Sequence, residues 1–377
     1  MKKMRILYVD SAVSIYGGLE RVLVDKLNWL VNQGNCDICL LTANQGTRPI
    51  VYPLHEKVVH HDLDIQFHHV YRYSGWKRLR EEIRLHKLFR QRLAKEIRDF
   101  SPQVVVCTRL QLLNDVVSVK GSAPVVLESH NICLALRYEG YGWFNSLKYW
   151  YWRRAVRKVQ TVVALTQGDA VEWRKHTLHV SVIPDVVHLN DTGRVSDVSS
   201  KSVIFVGRYS SQKGIDTLLS VWQIVFQRHP DWQLHIFGGY GDQSDILIPQ
   251  IKSMGDSIVL HEPTSAIFDE YLKSSVLLMT SYYEPFGLVL PEAMSCGLPV
   301  VAFDCPYGPA SIITDGVDGF LIPNRDIQAY AEKLCLLMDD DELRRTMGQA
   351  GIISSRRYDL SDIMPLWKDF LQHRITK

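Results

Sequence analysis

The chain has 377 residues, 46% hydrophobic and 22% charged, which is the composition of a soluble globular protein with room for two cores and excludes a disordered or fibrous chain. The net charge of +2 conceals a division: residues 1–187 hold 27 Lys and Arg against 17 Asp and Glu, a net +10, whereas residues 188–377 hold 16 against 24, a net −8. No stretch approaches the roughly 20 apolar residues of a membrane span, and Met1-Lys2-Lys3-Met4-Arg5 runs into a strand without a signal core, so neither a span nor secretion by that route is expected.

Along the chain, short apolar strands alternate with helical patterns. The strands are read at 5–9, 36–41, 103–107, 124–128 and 161–165, then at 202–206, 233–237, 258–260, 276–279 and 300–303. Such alternation predicts an α/β protein with two doubly wound, Rossmann-like parallel-sheet domains. The polar run His188 to Lys201 reads as the linker, giving domains at 1–187 and 188–357, and the tail 358–377, with Trp367 and Phe370, reads as a closing helix.

Cys36 and Cys39 form a lone CxxC whose thiols fall on opposite faces of a strand. With seven scattered cysteines and no second pair at ligand spacing, they read as core residues of a protein in a reducing cytoplasm. Two basic segments stand out in the first half. Residues 76–98 show helical periodicity, with Leu79, Ile83, Phe89, Leu93 and Ile97 on one arc and Arg80, Arg84, Lys87, Lys95 and Arg98 on another; residues 144–158 mix Phe144, Tyr149, Trp150, Tyr151 and Trp152 with Lys148, Arg153, Arg154, Arg157 and Lys158. Both suit an anionic membrane surface, and a solvated face over a core-facing aromatic cluster fits equally well. Nucleic acid is not expected, because the second half is acidic and no recognition motif is present.

The most informative stretch is 280–304. An apolar strand (Val276 to Met279) closes on Thr280-Ser281-Tyr282-Tyr283, Gly287 permits close approach of backbone, and Leu288 to Cys296 reads as a helix stopped at Gly297. Strand, glycine turn and helix start favour phosphate, and Glu284 and Glu292 would accept hydrogen bonds from hydroxyls, so the site suits a nucleotide-sugar. The Glu-x7-Glu spacing alone also fits an ordinary surface helix.

The run from Glu284-Pro285-Phe286-Gly287 through Pro291-Glu292 to Ala302 resembles the signature of the retaining glycosyltransferases of family 4, which have the GT-B fold. Tyr8-Val9-Asp10 with Gly17-Gly18-Leu19-Glu20-Arg21, Glu128-Ser129-His130-Asn131, Val206-Gly207-Arg208 with Lys213-Gly214, and Asp315 to Leu321 stand in that family's order. The resemblance implies two Rossmann-like domains facing an interdomain cleft, with the tail crossing back to the first domain. It implies catalytic roles for Glu284, His130, Arg208 and Lys213, and donor contacts from Gly17, Gly18, Gly207, Gly238, Phe286, Gly287, Leu288 and Glu292. His130 is expected near the donor sugar, and Arg208 and Lys213 on the diphosphate.

The same resemblance implies a nucleotide-sugar donor and a glycan or lipid-linked acceptor at the inner face of the cell membrane. No cofactor is expected. No Asp-x-Asp motif stands at a strand end beside the site, and Asp339-Asp340-Asp341 reads as a helix cap, so metal independence is the expectation. Cys305-Pro306-Tyr307-Gly308-Pro309 resembles members that use UDP-hexoses or UDP-N-acetylhexosamines. Pro184-Asp185-Val186 and His261-Glu262 depart from the family pattern at the hinge and the base-binding loop. A GT-B-like nucleotide-sugar epimerase and a non-catalytic sugar-nucleotide-binding protein are the alternatives.

Overall fold

The computed structural model describes residues 3–134 and 143–375; the side chains of residues 143–149, 374 and 375 lie outside that description, and with them the expectations for Phe144, Lys148 and Tyr149. The chain divides into two compact units, the first comprising Met1–Val186 and Ile363–Lys377, the second Val187–Asp362.

The first unit is built on a seven-stranded parallel sheet. Its strands are β1 (Met4–Asp10), β2 (Cys36–Thr42), β3 (Val59–Asp62), β4 (Val104–Cys107), β5 (Val125–Glu128), β6 (Thr161–Ala164) and β7 (Val180–Val182), in the order β3-β2-β1-β4-β5-β6-β7. Central strands are buried throughout, as parallel sheets covered on both faces require: Val104, Val105, Val106 and Cys107 are all 0% exposed. The edges β3 and β7 escape the sequence reading because a sheet edge needs no continuous apolar run; β3 is Val-His-His-Asp with alternating exposure. Cys36 and Cys39 lie on β2, and all seven cysteines are free.

The second unit repeats the architecture with six parallel strands: β8 (Ser202–Val206), β9 (Gln233–Phe237), β10 (Ile258–His261), β11 (Val276–Met279), β12 (Val300–Phe303) and β13 (Gly319–Ile322), ordered β10-β9-β8-β11-β12-β13. β13 starts inside what reads as a glycine turn. Gly319 is required there because a Cβ would stand 2.5 Å from the Val300 carbonyl oxygen on the neighbouring strand. The polar run after His188 is not a loose linker. Ser196 Oγ donates to the Ser274 carbonyl (2.7 Å), Asn190 N donates to Ser295 Oγ (3.0 Å), and the buried Arg344 donates to the Val198 carbonyl (3.0 Å), so side-chain to backbone hydrogen bonds in both directions tie the run to the second unit.

The basic helix runs Gly75–Phe100 and buries Leu85, Phe89, Leu93 and Ile97. Leu79 and Ile83, expected on the same buried arc, are 46% and 59% exposed. Burial starts only at Leu85, so the first turns leave an apolar stripe exposed to solvent in large part.

Candidate active site

The carboxyl end of the second sheet is assembled by backbone contacts that tolerate no side chain. After β8 the chain passes Gly207, Arg208 and a 3-10 turn (Ser211–Lys213) to Gly214, which has φ +62. A Cβ on Gly214 would stand 2.1 Å from the Thr280 carbonyl oxygen, and one on Gly238 2.3 Å from the Gly207 carbonyl oxygen. Gly207 N bonds the Phe237 carbonyl (2.9 Å) and Gly238 N the His261 carbonyl (3.3 Å), so the ends of β8, β9 and β10 are zipped together.

This packing delivers Lys213 to Glu284. Lys213 Nζ lies 2.8 Å from Glu284 Oε2, and Ser281 Oγ donates to the same oxygen at 3.0 Å. Glu284 is 7% exposed, and its other oxygen, Oε1, accepts no hydrogen bond among the described residues. The Glu284 backbone is held equally firmly: its N–H donates to the Pro306 carbonyl (2.7 Å), and its carbonyl accepts from Tyr307 N (3.0 Å) and Gly308 N (2.8 Å). Gly287, at φ +101, adopts a backbone conformation that a side chain would strain, and a Cβ there would crowd Glu284 Cγ at 3.2 Å.

The other expected residues of this end divide. Arg208 is exposed, and its guanidinium makes no ion pair among the described residues. Leu288 caps the helix Val289–Ser295, and Glu292 lies in its first turn, where Tyr271 Oη donates to Glu292 Oε2 at 3.2 Å. Phe286, expected as a donor contact, is 2% exposed and packs edge-on against Tyr358 with ring centroids 5.1 Å apart; its ring anchors the turn, because an apolar ring gains more from the core than from a polar ligand.

In the first unit, Gly17 is the extended residue before the helix Gly18–Asn32. The Glu20 carboxylate lies over it, 2.3 Å from where a Cβ would be, so an acid of the chain already occupies this helix start. Arg109 lies 3.0 Å from Asp10 and 3.5 Å from Glu20, tying the loop to the end of β1.

His130 lies in a buried charge cluster of the first unit: its side chain is 7% exposed, with Nε2 3.0 Å from Glu128 Oε1 and Nδ1 3.4 Å from Asp185 Oδ1, contacts between charges without aligned hydrogen bonds. Lys26 Nζ bonds the same Glu128 oxygen and rests 3.5 Å from the centre of the Trp367 ring. Burial opposes the charge on His130, but Glu128 and then Asp185 outweigh it and raise its pKa to about 9. Burial would raise Glu128, but Lys26 and His130 hold it down at about 2. Burial lowers Lys26, with Glu128 opposing.

Glu128, His130 and Asp185 bring potential metal-ligand atoms within 4.8 Å of one another. Two cations already face these two carboxylates, so the group fits a balanced ion cluster better than a metal centre. Lys26 and Asp185 were not anticipated. The sequence carried a signal for Lys26, a lysine set within the apolar stripe Leu23, Leu27, Leu30 of its helix.

The comparisons with known proteins cover the same ground. Residues 16–191 match the family model described as Glycosyltransferase Family 4, and residues 192–353 the one described as Glycosyl transferases group 1. The chain is 28% identical over 381 residues to an uncharacterized glycosyltransferase of Haemophilus influenzae, covering 98% of this chain and 100% of the relative. It is 28% identical over 390 residues to the amylovoran biosynthesis glycosyltransferase AmsD of Erwinia amylovora, covering 97% and 99%. Among solved structures, sucrose-phosphate synthase from Thermosynechococcus elongatus superposes with a TM-score of 0.83 at 17% identity (99% and 100% covered). HepE of Anabaena, solved with UDP and glucose, gives 0.77 at 19% (98% and 99% covered). With two parallel-sheet units, a glycine-framed Lys–Glu pair at the end of the second sheet, and two models that together take in nearly the whole chain, this protein belongs to the family 4, group 1 glycosyltransferases of GT-B fold.

Proposed function

We propose that this glycosyltransferase moves a sugar from a UDP-hexose or UDP-N-acetylhexosamine to a glycan or lipid-linked acceptor in cell-surface polysaccharide synthesis, with retention and without a metal. The observation that carries the reading is the Glu284 carboxylate, which accepts from Lys213 and Ser281 on one oxygen and keeps Oε1 for a sugar hydroxyl. Arg208, exposed at the end of β8, and Lys213 supply the positive charge that a departing diphosphate needs. In the front-face displacement favoured here, the acceptor oxygen bonds to the anomeric carbon as the carbon–phosphate oxygen bond breaks. The acceptor proton passes to the leaving phosphate oxygen, and UDP departs. The polysaccharide assignment draws on AmsD, named for amylovoran biosynthesis, and the UDP assignment on HepE, solved with UDP and glucose.

The test is a panel of nucleotide-sugars scored by thermal shift and by released nucleoside diphosphate, with and without EDTA. Stabilisation by a UDP-sugar and EDTA-insensitive release support the reading. EDTA-sensitive turnover removes the metal-free mechanism, and a changed sugar formed without any acceptor replaces transfer with epimerisation.

The acceptor side extends the proposal to the inner membrane face. No helix among the described residues is long and apolar enough to cross a membrane. Trp76 (87% exposed), Leu79 and Ile83 recur at helical spacing on the unburied part of Gly75–Phe100, beside Tyr71 (74% exposed), and are flanked by the exposed cations Arg72, Lys77, Arg78, Arg80 and Lys87. Arg84 is paired with Glu81 (2.9 Å) and adds less. Trp150 (58% exposed) and Tyr151 (44% exposed) contribute a second exposed aromatic pair. At about 1 kcal/mol per cation near an anionic surface, Arg80→Glu with Lys87→Glu should weaken binding to phosphatidylglycerol vesicles by at least about tenfold. Unchanged sedimentation with vesicles would return the stripe to a solvated face.

A further inference from the structure

We propose that Arg325 is a positioning residue that holds Glu284 through the strand end preceding it, an inference that rests on the reading of Glu284 as a catalytic group. Arg325 lies just beyond β13 and has φ +69, a conformation that L side chains rarely adopt and that persists where surrounding contacts demand it. Those contacts are specific. Nη1 donates to the Thr280 carbonyl at 3.0 Å, Nη2 donates to the Ser281 carbonyl, and Nε donates to Asn324 Oδ1 at 3.1 Å. The guanidinium face lies 3.8 Å from the centre of the Tyr282 ring and 4.9 Å from that of Phe303. Tyr282 is itself tethered, its hydroxyl donating to Asp216 Oδ2 at 2.9 Å.

No carboxylate pairs with Arg325 among the described residues; its fork is directed at two successive carbonyls just beyond β11. Ser281 is the link. Its carbonyl accepts from Arg325, and its hydroxyl donates to Glu284 Oε2 at 3.0 Å, the oxygen that also meets Lys213. The neighbouring Thr280 hydroxyl donates to the Gly214 carbonyl at 2.9 Å, and Tyr282 N to the Gln212 carbonyl at 2.8 Å. Three loops, after β8, β11 and β13, are therefore tied at the point where the Lys213–Glu284 pair forms. The planar, two-pronged guanidinium matches paired carbonyls in a way an ammonium does not.

The experiment is a double-mutant cycle between Arg325→Ala and Glu284→Ala on release of UDP from UDP-glucose and UDP-N-acetylglucosamine, with UDP affinity measured by calorimetry and melting monitored for each variant. Arg325→Ala should lower kcat about a hundredfold, the scale of an ångström-sized misplacement, while UDP affinity and the melting midpoint stay near wild type. Arg325→Lys should fall between, and millimolar guanidinium should restore part of the Arg325→Ala rate. In the Glu284→Ala background, Arg325→Ala should cost nothing further. Additive losses, or a drop in UDP affinity parallel to kcat, would overturn the positioning role, since either means that Arg325 acts independently of Glu284. A melting shift large enough to account for the lost activity would overturn it too. Full activity in Glu284→Ala alone would instead remove the reading of Glu284 on which the proposal rests.

Discussion

Replacing Glu284 with Gln should lower turnover by about a hundred- to a thousandfold, the scale associated with losing one preorganised charged group in an active site, and Lys213→Ala should do the same. Glu284→Gln keeps the shape and the Ser281 contact but removes the charge that Lys213 meets at 2.8 Å. Lys213→Ala leaves a carboxylate that is only 10% exposed without its cation, and it removes positive charge from the place where a diphosphate would leave. Because the proposed contact of Lys213 strengthens as negative charge develops on the leaving group, kcat and kcat/KM should fall together in Lys213→Ala. The backbone of Glu284 is held independently by Pro306, Tyr307 and Gly308, so Glu284→Gln should melt close to wild type. A near-wild-type rate in either variant would sink the assignment.

Glu128→Gln should act on stability first. The substitution is isosteric, but it leaves Lys26 and His130, both buried, without the carboxylate they share, and breaking such a cluster typically costs about 3–5 kcal/mol. The pH dependence arises from the same residues. His130 has a folded pKa of about 9 against an ordinary 6.5, so its stabilisation is complete below 6.5 and is lost as pH rises through 9. Glu128 has a folded pKa of about 2 against 4.5, so its contribution is present above 4.5 and is lost as pH falls through 2. The wild-type melting midpoint should therefore decline on the alkaline side between those His130 values, and His130→Gln should flatten that decline. A midpoint that does not change from neutral pH to pH 10 would overturn this stabilising role, and a His130→Gln variant that melts like wild type while losing donor affinity would assign His130 to the donor site instead.

Much of the fold was legible because parallel strands buried on both faces must be written as continuous apolar runs. Val104 to Cys107, Val276 to Met279 and Val300 to Phe303 could hardly be anything else. β3, β7 and β13 were not legible: an edge needs few apolar residues, and β13 opens on a glycine chosen for close approach to Val300. Lys213 and Glu284 were found because the motifs that carry them, Val206-Gly207-Arg208 with Lys213-Gly214 and Glu284-Pro285-Phe286-Gly287, resemble those of family 4. Arg325 was not, because its partners are carbonyls and a ring, and neither leaves a spacing in the chain.

His130 marks the boundary between the two kinds of information. Its place after a strand is written locally, but its environment is set by Lys26 from a helix more than a hundred residues earlier and by Asp185 from beyond β7. Sequence by itself determined the periodicities, the glycine turns and the charge division, since each is written in neighbouring residues. Only the tertiary structure decided which charged groups are buried together, which half of the basic helix stays uncovered, and that Arg325 reaches the strand end before Glu284. Those outcomes depend on distances between segments remote in sequence, and burial, which sets the strength of every charge contact, does not exist until those segments meet.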